Sequence, residues 1–299
     1  MIAVVRAGAL TTVQDLGRPG LAHLGVPRSG ALDLPAHLLA NRLVGNPATA
    51  ATLETTLTGV AVRCARATLV AVTGAPAAVR CDGRPVAWGA AVRVPAGAVL
   101  DVGPARHGVR SYVAFSGGVD VAPVLGSRAT DLLSGLGPAK LATGDTLPLG
   151  PAAITAGAAP PLGRADSTPV TVVPTLGASD SLVLRVRLGP RDDWFHDAAG
   201  ALRRGEYVAS TASNRIALRT RGAALMRTAE AAGRELPSEG MVLGAVQVPA
   251  DGAPIVFLAD HPTTGGYPVI GVVVEEDLAA AAQARPGTPL RFDPLTTST

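Results

Sequence analysis

The chain has 299 residues, 47% of them hydrophobic and 16% charged, which allows one large domain or two ordinary ones and argues against global disorder. Aromatic residues make up 3% and the formal net charge is +3, so neither base-stacking platforms nor a basic footprint for nucleic acid is expected. No run of about 18 uninterrupted apolar residues occurs, so no membrane span is expected.

The first residues, 2–5, read as a strand. Arg6 follows this apolar run with no cleavage pattern, so no signal peptide is expected. A polar segment comes next, residues 11–33, TTVQDLGRPGLAHLGVPRSGALD. It gathers Gln14, Asp15, Arg18, His23, Arg28, Ser29 and Asp33 among Gly17, Gly20, Gly25, Gly30, Pro19 and Pro27. Glycine permits backbone angles that other residues resist and proline fixes them, so polar groups can be held there outside a regular element. Leu16, Leu21, Leu24 and Val26 give the segment something to bury, which argues for order. Asp33 is placed to cap a helix over residues 34–44, with Pro35 in its first turn and Gly45-Asn46-Pro47 at its end. The spacing of Leu34 and Leu38, and of Leu39 and Leu43, gives that helix a broad apolar face.

Short Val-rich runs follow at residues 59–63, 68–73, 77–80, 85–88, 91–95, 99–102 and 109–115. Turn residues separate them, and Asp82-Gly83 is a hairpin signal. This texture predicts a β-barrel or sandwich rather than βαβ units. Residues 116–150 are glycine-rich and polar again. Residues 151–182, rich in Ala, Pro, Gly, Ser and Thr, read as a linker-like connection between an N-terminal half (1–150) and a C-terminal β-barrel half (183–299). Strand texture resumes at 182–188, 206–210, 242–248, 254–258, 269–274 and 290–292, and a helix is expected over 275–284. The DGxP turn of residues 82–85 recurs at 251–254, a hint of two similar barrels.

Polar groups concentrate near glycine in four further patches: ATLETTLTG, GSRATD, SNRIALR, and SEGMVLGAVQ with DHPTTGGYP. A developing oxyanion needs donors, and a phosphate or carboxylate needs arginine or backbone N–H groups. Arg18, Arg128, Arg215 and the amides around Thr264-Gly265-Gly266 can supply these, while Asp15, Glu54, Asp260 or His261 can act in proton transfer. Each has a structural alternative. Arg128 with Asp131, and Arg215 with a nearby carboxylate, can be ion pairs. Glu54 can bond strand-end backbone, and Gly265-Gly266 can be a tight turn. There is no P-loop and no HExxH or GxSxG motif, and the five histidines are dispersed, so no metal site is expected. Lys140 is the only lysine and lies between Ala139 and Leu141, which is no biotin-attachment context. Cys64 and Cys81 stand alone and read as two buried thiols of a cytoplasmic protein.

The stretches TTVQDLGRPGLAHLGVPRSGALD, ANRLVGN, ATLETTLTG, GVRSYVAFSGGVD, LGSRATD, SEGMVLGAVQVPADGAPIVFLAD and TTGGYP, in that order, resemble the biotin-dependent carboxyltransferase family. That family includes the C subunit of bacterial 5-oxoprolinase, the KipA proteins and allophanate hydrolase subunit 2. SNRIALR departs from the family's DRMGxRL-like pattern, and residues 134–140 are altered. The resemblance implies a mostly β architecture with cyclophilin-like barrels and a few short helices. It implies a cytoplasmic subunit of an ATP-dependent 5-oxoprolinase that opens the lactam of 5-oxo-L-proline to L-glutamate. Its partners would be a KipI-like B subunit and a LamB/YcsF-like A subunit, with ATP used by the complex. The alternatives are a carboxyltransferase component for urea or a related amide, with biotin on another chain, and a non-catalytic regulator that binds a KipI-like kinase inhibitor. The expected catalytic residues are Asp15, Arg18, Glu54 and Asp260. The expected substrate-binding residues are Gln14, Ser29, Asp33, Arg128, Arg215, Gln247, Thr263, Thr264, Gly265, Gly266 and Tyr267.

Overall fold

The computed structural model describes residues 1–152 and 181–295, so most of the connection expected at 151–182 lies outside the described residues. The chain divides into two compact units. Of the described residues, the first comprises Met1–Arg18, Ser29–Asp131 and 135–152; the second comprises Pro19–Arg28, Leu132–Ser134 and 181–295.

The first unit holds β1 (Ile2–Arg6), β2 (Leu10–Gln14), α1 (Leu34–Leu43), β3 (Thr52–Thr56), β4 (Val60–Cys64), β5 (Thr68–Gly74) and β6 (Ala77–Cys81). Then come β7 (Arg84–Val86), β8 (Ala91–Val94), β9 (Val99–Ala105), β10 (Arg110–Phe115) and β11 (Thr146–Leu147). Six strands pair in the order β11-β1-β4-β9-β6-β7 and five in the order β2-β3-β10-β5-β8. Inward side chains of both sheets, among them Ile2, Val13, Leu53, Val62, Val72, Leu100, Val113 and Phe115, form one buried cluster. Alternation of apolar residues along the strands builds this core, with Val and Leu doing the packing that rarer aromatics would do elsewhere. Asp82 and Gly83 both have positive φ (46° and 77°), as a tight two-residue hairpin between β6 and β7 requires.

The expected texture of 11–33 changes at its start. Residues 10–14 are a strand, paired with β3 from Leu10 opposite Thr56 to Gln14 opposite Thr52. Thr11, Thr12, Val13 and Gln14 are all buried, and hydroxyl bonds such as Thr11 Oγ1 to Thr55 Oγ1 at 2.9 Å take the place of apolar contacts.

Helix α1 forms as the sequence predicts, with Ala36 N donating to Asp33 Oδ1 at 3.0 Å and Pro35 in the first turn. Its buried face is not the leucine face. Ala36, His37, Ala40 and Asn41 turn inward and Leu38 is 36% exposed. Small alanines let the helix lie close against Leu69, Ala71, Tyr112 and Ala114. The two polar side chains are satisfied locally: His37 Nδ1 meets Thr52 Oγ1 at 3.0 Å and Asn41 Nδ2 donates to Ala50 O at 2.8 Å.

Burial lowers the pKa of His37 from its ordinary 6.5. The unfolded chain then binds a proton that the folded chain refuses once the pH drops below 6.5. Stability falls with falling pH from there down to the depressed folded value, at up to about 1.4 kcal/mol per pH unit. We expect the midpoint of thermal melting to drop through this window and His37→Gln to flatten the slope. An unchanged slope in the variant would assign the acid sensitivity to other groups.

The second unit holds β12 (Leu182–Leu188), α2 (Ala198–Arg204), β13 (Tyr207–Ala209), β14 (Ala217–Gly222), β15 (Glu239–Gly240), β16 (Ala245–Gln247) and β17 (Ile255–Phe257). Then come β18 (Thr264–Gly265), β19 (Val269–Val273), α3 (Glu275–Ala282) and β20 (Pro289–Pro294). Seven strands close a barrel in the order β12-β19-β16-β17-β14-β13-β20. Strict alternation in β12 puts Leu182, Leu184 and Val186 inside and leaves Val183 51% exposed, which is the period a half-buried strand needs. The mostly β class with a barrel and short helices is as expected. The hint of two barrels is corrected: the first unit is a pair of open sheets, and the closed barrel belongs to the second. The cysteine expectation is half corrected. Cys64 is buried while Cys81 is only half-buried, and burial pushes the Cys64 thiol up to about 11.

Among the described residues, no helix is long and apolar enough to cross a membrane.

Candidate functional site

In the first unit the end of β2 and the chain after it carry the expected polar residues. Asp15 is 6% exposed and its carboxylate accepts three bonds: from Gly17 N at 2.8 Å, Ser127 Oγ at 2.6 Å and Arg128 N at 2.7 Å. Its backbone carbonyl accepts from Ala31 N at 2.9 Å. One aspartate therefore ties residues 15–17, 31 and 127–128 together. Ser29 has φ 53°, a left-handed conformation that non-glycine residues rarely adopt, and its hydroxyl donates to Thr130 O at 2.9 Å. Gly30 has φ +96°, and a Cβ there would sit 2.8 Å from Gly17 N. We expect Gly30→Ala to cost about 1–3 kcal/mol from backbone strain alone, with added cost from the clash. A melting temperature equal to the parent's would show that the two chain segments are not held this closely.

Glu54 is 1% exposed. It accepts from Leu32 N at 3.1 Å and from Tyr112 Oη at 2.6 Å, and it pairs with Arg110 at 3.6 Å. Burial first, then the charge of Glu54, raises the Tyr112 phenol well above its ordinary pKa, so the phenol stays a donor. Tyr112 Oη in turn accepts from Asp33 N at 2.8 Å. Glu54 and Asp33 are thus joined through Tyr112, and both fix the entry to α1. Arg128 pairs with Asp120 at 2.8 Å, not with Asp131, and also donates to Val121 O at 2.8 Å.

Three side chains here keep unused capacity. Arg18 is 2% exposed. Its Nη2 donates to Ala129 O at 2.6 Å and its Nε reaches Val124 O at 3.4 Å, while the buried Nη1 has no hydrogen-bond partner. Among the described residues no carboxylate pairs with this guanidinium. Gln14 donates through Nε2 to Thr12 Oγ1 and Thr130 O, both at 3.0 Å, and its Oε1 is buried without a partner. The hydroxyl of Thr130 is buried and unpartnered as well. A charged donor with no acceptor is costly to bury. The cost is relieved when an anion or polar ligand group completes it.

In the second unit Arg215 and Asp260 form a two-pronged ion pair, Nε to Oδ2 and Nη2 to Oδ1, both at 2.9 Å, with side chains 1% and 0% exposed. Asp260 Oδ2 also accepts from Leu132 N at 3.2 Å. His261 Nδ1 donates to Pro262 O at 2.7 Å. The TTGGYP segment makes a two-stranded ribbon, with Gly240 opposite Thr264 and Glu239 opposite Gly265. Thr263 O accepts from Met241 N at 2.9 Å. Gln247 donates to Tyr267 O at 3.1 Å, and a Cβ on Gly265 would meet Gln247 Nε2 at 2.8 Å. Gln247 therefore props the turn and packs close against Gly265. Tyr267 is 49% exposed and, with Gly266, lines a cavity of about 660 Å³.

The structure thus gathers Gln14, Asp15, Arg18, Ser29, Asp33, Glu54 and Arg128 in the first unit. It gathers Gln247 with Thr263, Thr264, Gly265, Gly266 and Tyr267 in the second, with the Arg215–Asp260 pair in the same unit. Sequence reasoning missed Thr130, Tyr112 and Arg110. It also missed Arg227 and Arg234, which line the cavity beside Tyr267. No short motif marks any of them. Among the described residues no group of three or more His, Cys, Asp or Glu side chains is placed to hold a metal ion.

The chain belongs to the carboxyltransferase-domain family, subdomains A and B, whose family model matches residues 24–294. Over 296 residues it is 40% identical to the 5-oxoprolinase C subunit of Escherichia coli, covering 98% of this chain and 90% of that one. It is 30% identical to the 5-oxoprolinase C subunit of Haemophilus influenzae, covering 98% and 91%. The crystal structure of Kluyveromyces lactis urea carboxylase superposes with a TM-score of 0.87 at 29% identity, covering 99% of this chain and 27% of that one. The chain spans about a quarter of that larger enzyme, and nearly all of the two bacterial proteins.

Proposed function

We propose that this chain is a subunit of an ATP-dependent 5-oxoprolinase that opens the lactam of 5-oxo-L-proline to L-glutamate. The observation that carries the reading is the 40% identity to the C subunit of the E. coli 5-oxoprolinase across nearly the full length of both chains. The reading includes a cytoplasmic assembly with a KipI-like B subunit and a LamB/YcsF-like A subunit, without which this chain does not turn over. ATP is used by the complex, as the likeness to a 5-oxoprolinase subunit supports.

An unstrained amide carbonyl is a poor electrophile, and ATP supplies the activation by making the amide oxygen a leaving group. The chain's own residues then have separable tasks. Arg18, with its free Nη1, binds a carboxylate or a developing negative charge. Gln14 Oε1, an acceptor without a donor, suits an amide N–H. The backbone around Thr264, Gly265 and Gly266 offers donors on a turn that Gln247 props. Within the first unit Asp15, Ser29, Asp33, Glu54 and Arg128 serve the frame, because their polar atoms are engaged by it; within the second the Arg215–Asp260 pair does the same. On this reading Asp15, Glu54 and Asp260 position other groups rather than transfer protons.

The test is co-expression with the two partner proteins and an assay of glutamate release from 5-oxo-L-proline with and without ATP. Release only with ATP and only with this chain present is expected. No release from a well-folded three-component mixture would overturn the reading. A second reading, carboxyl transfer to urea or a related amide, has its own support in the likeness to urea carboxylase. It requires a biotin carried on another chain, and it is favoured if label from a carboxylated carrier passes to urea or a related amide, regenerating free biotin, only when this chain is present.

A further inference from the structure

The cavity beside Tyr267 has an unusual charge arrangement. Arg227 and Arg234 line it, and so do Glu235 and Asp251, with Leu225 and Leu236 supplying apolar wall. Both guanidiniums share one indole: the Cζ of Arg227 lies 5.7 Å from the ring centroid of Trp194 and that of Arg234 lies 5.1 Å from it. Trp194 itself is 6% exposed. Arg227 Nη1 also donates to the carbonyl of Arg234 at 3.2 Å. The indole face and that carbonyl hold two like charges at one wall, where they would otherwise drive each other apart.

The two acids do not neutralise them. Asp251 Oδ1 accepts from Ala253 N at 3.1 Å, and among the described residues neither Asp251 nor Glu235 pairs with either arginine. Two cations and two anions therefore line one cavity with their charges unspent on each other. A polyanion would gain from the arginines and lose to the acids. A ligand carrying two carboxylates and one ammonium meets both signs. The volume, about 660 Å³, lies within the usual range of roughly 300–1,000 Å³ for small-molecule sites.

We propose that this cavity binds an amino-acid zwitterion with a second carboxylate, of the chemical class of L-glutamate, with its carboxylates on Arg227 and Arg234 and its ammonium at Glu235 or Asp251. The choice of glutamate rests on the function proposed above, whose product it is, and makes the cavity a product or effector site.

The test is binding, not turnover, so it stands or falls apart from the proposed reaction. The chain has two tryptophans, so Trp88→Phe leaves Trp194 as the sole indole reporter. In that full-length variant L-glutamate is expected to change the Trp194 emission saturably. By calorimetry 5-oxo-L-proline, which lacks the ammonium, and ATP, a polyanion, are expected to bind at least roughly tenfold more weakly. Arg234→Gln is expected to weaken glutamate binding by a similar factor, about tenfold or more. Should that variant fold poorly, Glu235→Gln, at an exposed position, is expected to raise the dissociation constant for glutamate without raising that for ATP. No saturable change with glutamate, tighter binding of ATP than of glutamate, or unaltered glutamate binding in both variants would overturn the proposal. Glutamate binding in a complex that fails to open 5-oxo-L-proline would keep the site and refute the reaction.

Discussion

Replacing Arg18 by alanine is expected to lower turnover of the assembled complex by about 10²–10³-fold, the range for losing one preorganised donor to a developing oxyanion, while the complex still assembles. The argument is geometric. The guanidinium is 2% exposed, two of its nitrogens are aimed at backbone carbonyls, and the third has no protein acceptor. The frame accounts for part of this side chain and leaves a charged donor for something else. Arg18→Lys keeps a charge and loses the fork, so it is expected to recover only part of the activity. Steady-state assays of both variants beside their melting curves make the check. Full activity in Arg18→Ala, or loss of folding in both variants, would assign the residue to the frame alone.

The second large effect is on stability. Arg215→Ala and Asp260→Ala are each expected to destabilise the chain by about 3–5 kcal/mol, since each leaves the other charge buried without its partner. The pair is two-pronged and closed to solvent, and Asp260 also accepts a backbone N–H from Leu132. The double variant is expected to cost far less than the sum of the singles, because the orphaned charge is gone. Denaturant unfolding of the three variants measures this. Additive losses, or single variants with parental stability and no turnover, would return Asp260 to the chemistry.

Much of the β architecture is legible in the chain. Where Val and Leu alternate with polar residues, as in β12, the sheet period shows directly. It fails at β2 and β3, because LTTVQ and TLETT are buried through threonine and carboxylate hydrogen bonds that no hydrophobic period reveals. It fails at the face of α1, because close packing favoured Ala36 and Ala40 over the longer leucines, with His37 and Asn41 buried beside them through their own hydrogen bonds. For the candidate site, the motifs mark buried polar clusters but not how each side chain in them is engaged. Asp15, Arg18 and Glu54 look equally catalytic as letters. Only distances separate a carboxylate holding three donors from a guanidinium with one nitrogen free. Arg227 and Arg234 stand in no motif at all, and their significance comes from a shared indole that sequence spacing does not disclose.

The most direct measurement is the ratio of ADP to glutamate released from 5-oxo-L-proline by the complete three-protein complex, run beside the same mixture without this chain. The account predicts the two products in equal amounts when all three proteins and ATP are present, and no glutamate when this chain is omitted. Glutamate formed equally well without the chain, or none formed by a folded complex that contains it, would contradict the account.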